Sequence, residues 1–388
     1  MESPLLESLK EVNPPLWDAL GDVFDNLTES TELPQVWHYA ALVSLIDGSD
    51  SMREKMMSKW VPDSKGDALE NCLEVLTRVS QSHLLSDDMR ERLSKINVDD
   101  YAHLTLVWRF NSFGHHTDSN ALCMYNITSM MAHSCGASGV WHFGSGDSFC
   151  LRARVALRPG DEITISYLSD EDLFKSVLVR RQKTQGWLFD CACTRCTSTT
   201  DFSRSFRCPV CVTGSILISP ENQAGPCDTC ITNLSSEVLL NYLELEPIYV
   251  DRVTGMDRTD SEDVLAVLKE ALNLFSDSHW IVYVLESMLS ESLKGSSNPA
   301  RIDLLLRRLE YLRKNFPWSN YTTSWLLEEI GDWYSSQQSR TVAASYYERA
   351  YWSLRIMCGQ DHPFTESAQC KWDDMLEKSS DHSPKSYA

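Results

Sequence analysis

Apolar residues recur every three to four positions in the N-terminal part of the chain, a spacing that predicts amphipathic helices. The clearest runs are PQVWHYAALVSLI and ALENCLEVLTRV, with breaks at VNPP, DGSDS and WVPDSKGD. The same texture returns from Ser235 to about Glu377, where GSSNP (295–299) and NFPWSN (315–320) act as connectors. We predict a helical N-terminal region over residues 1–107 and a helical domain over residues 235–388.

Shorter runs rich in β-branched and aromatic residues begin near Leu104. They are ALCMYNI, GVWHFG, SFCLRARVAL and DEITISYL. GSGD (144–147) and RPGD (158–161) have the composition of tight turns and separate the last three runs, which predicts a small antiparallel sheet. The expected fold class is therefore α+β, with a small β-rich core between two helical regions.

One helical hairpin near the C-terminus has a distinctive order of small and large residues. These residues are Ile330, Gly331, Tyr334, Ala343, Ala344, Tyr347 and Ala350. Small residues let two helices approach closely, and the large ones fill the space between them. The order resembles a tetratricopeptide unit, and an ordinary helical hairpin is the alternative. Either structure would offer a surface for a protein partner.

The charge of the chain disfavours a role in nucleic-acid binding. The chain has 55 acidic and 35 basic residues, giving a formal net charge of −20, whereas a nucleic-acid surface needs a basic patch. A Lys/Arg-rich protein segment is a better-matched partner. No apolar run is long enough to span a membrane, and the acidic start lacks the order of a signal peptide. We expect a cytoplasmic and/or nuclear protein with no direct contact to membrane or nucleic acid.

The spacing of the 13 cysteines indicates metal binding. CPVC and CDTC are separated by fifteen residues, and two Cys-x-x-Cys motifs at this separation are typical of a structural zinc site. The predicted ligands are Cys208, Cys211, Cys227 and Cys230. A redox dithiol or free thiols are the alternatives. Four cysteines leave no open position for water, so we expect a structural role for this zinc.

A second set, C-A-C-T-R-C, supplies only three sulfurs, from Cys191, Cys193 and Cys196. A structural tetrahedral site needs a fourth ligand, which could be a distant cysteine, a histidine, or none. Cys135, in MMAHSC, is the cysteine with the most suggestive context. The remaining cysteines stand alone in apolar surroundings, and we predict that they are small buried hydrophobic residues. They are Cys72, Cys123, Cys150, Cys358 and Cys370.

The residues from Asn111 to Cys230 resemble the later half of a SET domain followed by its post-SET zinc site. The motifs that carry the resemblance are RFNSFG, MMAHSC, LRARVALRPGDEITISYL and RRQKTQGWLFDCACTRC, in that order. With the helical tail, they resemble the SET-and-MYND-type protein lysine methyltransferases in particular. The resemblance implies a SET-like core with its post-SET site over residues 108–196 and a zinc-knuckle segment over residues 197–234.

The resemblance also implies roles for individual residues. The HSC and GDEITISY segments would thread past each other to form a pocket for S-adenosylmethionine. His133, Asn111, Phe189 and the position of Ala132 would contact this methyl donor, and Tyr167 would be the catalytic residue at the lysine channel. Cys135 would complete a post-SET zinc site with the three sulfurs of C-A-C-T-R-C. The chain would then hold two zinc ions.

Two departures from the family pattern give a rival hypothesis. Ala132 replaces the asparagine that precedes His-Ser-Cys, and residues 1–110 contain neither a glycine-rich segment nor a MYND finger. The first hypothesis is a lysine methyltransferase acting on a histone or non-histone protein. Its rival is an inactive or impaired SET-like scaffold that binds partners through its helical domain. A hydrolase using Cys135 and His133 is disfavoured, because such enzymes draw base and nucleophile from separated segments.

Overall fold

The computed structural model describes residues 1–27, 33–63, 66–144, 147–295 and 298–380. The chain divides into two compact units. The first unit comprises Met1–Ala132 and Trp141–Leu151, and the second comprises His133–Val140 and Arg152–Ala388. Helices make up 55% of the described residues and short strands are present in both units, so the fold is mixed α and β.

Helices account for most of the first unit. They are α1 (Pro14–Asp25), α2 (Gln35–Ile46), α3 (Asp50–Met57), α4 (Ala68–Val79), α5 (Asp87–Ser94) and α6 (Val98–Asn111). VNPP is a helix start, because the Asn13 side chain accepts a hydrogen bond from the Leu16 amide and the two prolines occupy the first turn. Trp108 is fully buried in the core of this unit, and its Nε1–H donates to the Ser44 hydroxyl at 2.9 Å.

A three-stranded sheet joins the two ends of the first unit. Its strands are β1 (Leu6–Ser8), β2 (Ser112–Gly114) and β3 (Leu122–Met124), in the order β1-β3-β2, and both pairings are antiparallel. Strand β1 lies within residues 1–107, which were predicted as a helical region, and it was not among the predicted elements. Its hydrogen bonds go to β3, more than a hundred residues away, so local periodicity carries no signal for it.

Two further strands, β4 (Gly139–Phe143) and β5 (Phe149–Ala153), form the predicted hairpin. The tip of this hairpin belongs to the first unit, and its outer ends belong to the second. The amide of Gly144 donates to the Ser148 carbonyl at 2.7 Å, which begins the turn. Ser145 and Gly146, the centre of the predicted GSGD turn, lie outside the described residues.

The DEITISYL run does not form the predicted third antiparallel strand. RPGD does form a turn, since the Asp161 amide donates to the Arg158 carbonyl at 3.0 Å. The chain then runs beside the segment that follows Ala132, where Ile165 makes a parallel bridge with His133. The neighbour of this run is therefore the HSC segment, a pairing between distant segments that turn composition does not predict.

The second unit consists of short elements around the cysteines, followed by a long helical region. The short elements are α7 (Asp170–Leu173), α8 (Val177–Thr184), β6 (Ser205–Arg207) and β7 (Ser215–Leu217). The helical region contains α9 (Ser236–Thr254), α10 (Ser261–Leu274), α11 (Trp280–Ser292), α12 (Pro299–Asn315), α13 (Tyr321–Ser336), α14 (Arg340–Met357) and α15 (Pro363–Ser380). No helix in the described parts of the chain is sufficiently long and apolar to span a membrane.

A buried ion pair ties the cysteine-rich segment to this helical region. Arg204 is 2% exposed, and its Nε donates to both carboxylate oxygens of Glu246 in α9, at 3.0 and 2.8 Å. Its Nη1 donates to the Ser219 carbonyl and to the Asn222 side chain. Removing either partner would leave a buried charge without compensation, so the pair fixes the attachment of the two segments.

The helical hairpin of α13 and α14 has the close contact that its small residues predict. A Cβ at Gly331 would lie 2.6 Å from the Tyr347 ring, well inside van der Waals contact. The Tyr347 ring is fixed in turn, because its hydroxyl donates to Asp332 at 2.7 Å. Of the five isolated cysteines, Cys370 departs from the prediction of burial, since it is exposed in α15.

Gly331→Ala tests this contact. Alanine has the higher helix propensity, yet we expect a loss of about 1–3 kcal/mol in unfolding free energy because the new methyl group overlaps Tyr347. Gly255→Ala is the control, since a Cβ there meets only the Asp251 carbonyl at 3.5 Å. Thermal unfolding midpoints measure both. A Gly331→Ala midpoint equal to that of the wild type would contradict the close packing.

Candidate functional site

Cys135 lies with the three cysteines of C-A-C-T-R-C in the second unit. The four sulfurs are within 4.8 Å of one another, and Cys135 Sγ is 3.9 Å from Cys191 Sγ and 3.5 Å from Cys196 Sγ. Tetrahedral zinc with Zn–S bonds of about 2.3 Å separates its sulfurs by about 3.8 Å. The group could therefore hold zinc, with Cys135 as the fourth ligand.

Two arginines, Arg180 (buried) and Arg195 (partly exposed), lie beside this group and can compensate the charge of its thiolates. Arg180 is 1% exposed, and its Nη2 lies 4.0 Å from Cys196 Sγ. Burial alone would lower the pKa of Arg180, but the Asp201 carboxylate and the cysteine sulfurs raise it. Arg195 donates from Nη1 to the Cys135 carbonyl at 2.8 Å, and burial lowers its pKa to about 10. Zinc bound by four thiolates carries a net charge of −2, which these two guanidinium groups can offset.

The second group of four cysteines also has the geometry of a zinc site. Cys208 and Cys230 have their sulfurs 3.7 Å apart, as do Cys211 and Cys227. Backbone amides support the sulfurs, since Gly214 N–H donates to Cys211 Sγ at 3.3 Å. A Cβ at Gly214 would overlap the Cys227 sulfur, so glycine is required there. This group could hold the second zinc ion.

The two Cys-x-x-Cys motifs of this second group share an unusual backbone conformation. The residue after each motif is left-handed, Val212 at φ 62° and Ile231 at φ 60°. Each of these residues donates its amide to the carbonyl of the first cysteine in its motif at 3.1 Å. β-Branched residues rarely adopt positive φ, and sequence patterns give no warning of it here. Both motifs therefore hold strained backbone at the metal site.

The structure brings His133, Tyr167 and Phe189 together in the second unit. The ring centroid of His133 lies 5.3 Å from that of Tyr167 and 5.8 Å from that of Phe189. Tyr167 and Phe189 meet edge to face at 6.2 Å. All three are partly buried, and burial raises the pKa of Tyr167, so its phenol stays protonated at neutral pH.

Hydrogen bonds set the tautomer of His133. Its Nδ1 accepts the backbone N–H of Tyr167 at 3.0 Å, so the neutral ring carries its hydrogen on Nε2. Nε2 lies 3.3 Å from Cys135 Sγ and can donate to it. Both ring nitrogens are thus engaged within the protein. A bound ligand could meet His133 through its ring face or its backbone.

Asn111 and Ala132 belong to the first unit. Asn111 is the last residue of α6, and its Nδ2 donates to the Trp60 carbonyl at 2.8 Å and to the Val107 carbonyl at 3.0 Å. These bonds give the Asn111 amide group a structural function. Ala132 is exposed and has no polar side-chain atom.

Trp187 also packs against these rings, and the sequence did not predict it. His133, Tyr167, Trp187 and Phe189 together form the aromatic cluster. Trp187 lies at the end of the 3₁₀ turn Gln185–Trp187, with its ring 5.6 Å from Tyr167. Leu188, between Trp187 and Phe189, adopts a left-handed φ of 60°. The signal was present as the apolar run WLF directly before the cysteines, where only Phe189 was considered.

Comparisons with known proteins support a SET domain. The family model described as SET domain matches residues 38–168. A SET and MYND domain-containing protein of Dictyostelium discoideum is 27% identical over 129 residues, which cover 30% of this chain and 37% of that protein. The chain therefore spans well under half the length of this relative. These matches support a SET-domain protein, and SET domains generally belong to protein lysine methyltransferases.

Cys135→Ser tests the fourth ligand of the first group. We expect it to remove one equivalent of zinc, measured by mass spectrometry of the metal in purified protein, and to leave the other group loaded. Cys227→Ser should remove a different equivalent, so the double variant should lose both. Cys358→Ser, a buried cysteine outside both groups, is the control. Unchanged zinc in Cys135→Ser would refute its role as ligand.

Ile231→Gly tests the strained backbone. Ile231 is 68% exposed, so glycine loses little burial and removes a conformational cost of about 1 kcal/mol or more. We expect an unchanged or higher midpoint of thermal unfolding. Ile248→Gly is the matched control, because this residue is 59% exposed within α9 and glycine there should cost about 1 kcal/mol. An equal loss in both variants would argue against strain at Ile231.

Proposed function

We propose that the chain is an S-adenosylmethionine-dependent protein lysine N-methyltransferase of the SET-and-MYND type. One observation carries the proposal: the backbone of Tyr167 is bonded to His133, and His133 contacts the sulfur of Cys135. The residues that the family resemblance assigns to the methyl donor, the lysine channel and the zinc site are thus joined in one hydrogen-bonded chain. The match of a SET domain to residues 38–168 supports the same function.

S-Adenosylmethionine would supply an electrophilic methyl group when bound. The protein has to bring a neutral lysine amine into line with that methyl group, since an ammonium ion has no lone pair to attack it. Partly buried aromatic rings disfavour the charged form of an amine, and Tyr167, Trp187 and Phe189 provide such a surface. Because burial raises the pKa of Tyr167, its hydroxyl stays neutral and can orient the amine.

The donor would rest on few side-chain hydrogen bonds. Ala132 has no side-chain amide, and both ring nitrogens of His133 are engaged within the protein. Backbone groups and the face of Phe189 remain as contacts. Losing one hydrogen bond from a neutral partner weakens binding by about 1 kcal/mol, so we expect weak, micromolar-range affinity.

The two groups of four cysteines would hold structural zinc. Four thiolates fill a tetrahedral site and leave no position for water, so neither ion would take part in methyl transfer. The zinc at Cys135 would instead fix the position of the His133 segment.

The substrate would be a lysine of a histone or non-histone protein. The net charge of −20 favours a basic segment as the bound region. The helical domain, including the tetratricopeptide-like hairpin of α13 and α14, would bind a protein partner. We retain the domain limits 1–107, 108–196, 197–234 and 235–388, and a cytoplasmic and/or nuclear location stays a prediction from the sequence.

The second candidate is a scaffold that no longer transfers methyl groups. Two observations favour it: Ala132 lacks the amide of the family motif, and the Asn111 amide is bound to two backbone carbonyls. In that case the aromatic cluster would serve only as packing around the zinc site.

Calorimetry with S-adenosylhomocysteine separates the two candidates. We expect a binding isotherm for the wild type and none for Phe189→Ala, because the stacking face is removed. Tyr167→Phe should still bind the compound but transfer methyl groups to lysine-rich proteins about 10²-fold more slowly. Phe364→Ala, a surface aromatic of α15, is the control and should behave as the wild type. No binding heat in the wild type would favour the scaffold.

A further inference from the structure

A cluster of metal-ligating side chains lies in the first unit, apart from both cysteine groups. His115 and His116 directly follow β2, Cys123 is the middle residue of β3, and Asp147 shortly precedes β5. One ligand atom each of His115, Cys123 and Asp147 can be chosen such that all three lie within 4.8 Å of one another. Three separate segments of the chain thus present imidazole, thiol and carboxylate groups to one point.

The cluster is buried, which makes its composition unusual. Cys123 is fully buried, and the side chains of His115 and Asp147 are 7% and 12% exposed. The Asp147 carboxylate has Oδ2 3.1 Å from His115 Nε2, and its Oδ1 contacts His116 Nδ1. Within the described part of the chain these two histidines are its ion-pairing partners. A buried carboxylate without a lysine or arginine needs another source of positive charge.

Backbone contacts hold the cluster in place. Strand pairing sets Cys123 opposite Phe113, and the His115 amide donates to the Ala121 carbonyl at 3.0 Å. The Asp147 carbonyl accepts the hydroxyl of buried Tyr125 at 2.5 Å. Each of the three ligand residues is therefore tied to its surroundings by its own backbone.

We propose that His115, Cys123 and Asp147 bind a divalent transition-metal ion of the zinc class. Imidazole and thiolate select zinc, cobalt or copper over magnesium and calcium, which prefer oxygen ligands. Three protein ligands leave a fourth position, which a water molecule can fill. The ion would join the β2–β3 strands to Asp147, two residues before β5.

Metal binding here would require His115 to change its tautomer, a cost that the two cysteine groups do not have. His115 Nδ1 accepts the amides of Thr117 and Asp118 at 3.3 and 3.2 Å, so without metal the ring hydrogen sits on Nε2 and points to Asp147. Coordination through Nε2 moves that hydrogen to Nδ1, where the Thr117 hydroxyl oxygen at 3.1 Å can accept it, and the two amide contacts are lost. The Cys123 thiol also releases its proton to solvent. The third ion is therefore held more weakly and exchanges readily.

Metal titration of the full chain tests the proposal. Protein saturated with Zn²⁺ and separated from free metal should contain three equivalents, and brief treatment with a mild chelator should leave two. Added Co²⁺ should then enter the emptied site and give a thiolate-to-cobalt absorption band of one cysteine. A chain that never exceeds two equivalents and shows no such band overturns the proposal, and this measurement needs no variant.

Substitutions identify the ligands. Asp147→Asn and Cys123→Ser should each retain two equivalents of zinc and lose the cobalt band. Cys72→Ser, which alters another fully buried cysteine of the same unit, should keep both signals. Circular dichroism confirms that each variant is folded. Three equivalents in both ligand variants would refute the assignment. None of these measurements involves the methyl donor, so their outcome does not depend on the proposed function.

Discussion

The geometry of the candidate site depends on the placement of one sulfur, that of Cys135. Its contacts with Cys191 and Cys196 connect segments 56 and 61 residues apart. Closing a loop of that length costs conformational entropy, and zinc held by this group would offset that cost with about 10–16 kcal/mol, the free energy typical of structural zinc. Because His133 contacts Cys135 and holds the backbone of Tyr167, the position of the sulfur is transmitted to the aromatic cluster.

Charge is the second condition that this arrangement has to meet. Four thiolates in a buried site are tolerable only with nearby positive charge, which Arg180 and Arg195 provide from inside the second unit. Arg204 and Glu246 solve a similar problem beyond the cysteines, where each compensates the other. The protein is strongly acidic overall, yet arginines lie beside the buried acidic groups around the cysteines.

The sequence allowed those features to be predicted that depend on local spacing. ALENCLEVLTRV is α4 from its first residue to its last, and the cysteines of CPVC and CDTC come together as their spacing indicated. Cys135 joins the three sulfurs of C-A-C-T-R-C, which the family resemblance implied and spacing alone left open. A feature that depends on a distant partner was missed: β1 pairs with a strand more than a hundred residues away. The parallel pairing of Ile165 with His133 brings together the HSC and GDEITISY segments, which the family resemblance had placed side by side but no local spacing indicated. The positive φ of Val212 and Ile231 was not predicted, because β-branched residues usually indicate extended backbone.

Cys193 and Cys135 differ in exposure, and this difference makes the first cysteine group sensitive to oxidation. Cys193 is partly exposed, whereas Cys135 is completely buried. Peroxide and other oxidants attack the accessible thiolate first, and a sulfenic acid is a poor zinc ligand. Damage at the more exposed sulfur would release the zinc that fixes Cys135, the residue that His133 Nε2 contacts. Oxidation of Cys193 would thus displace the aromatic cluster without modifying any of its rings.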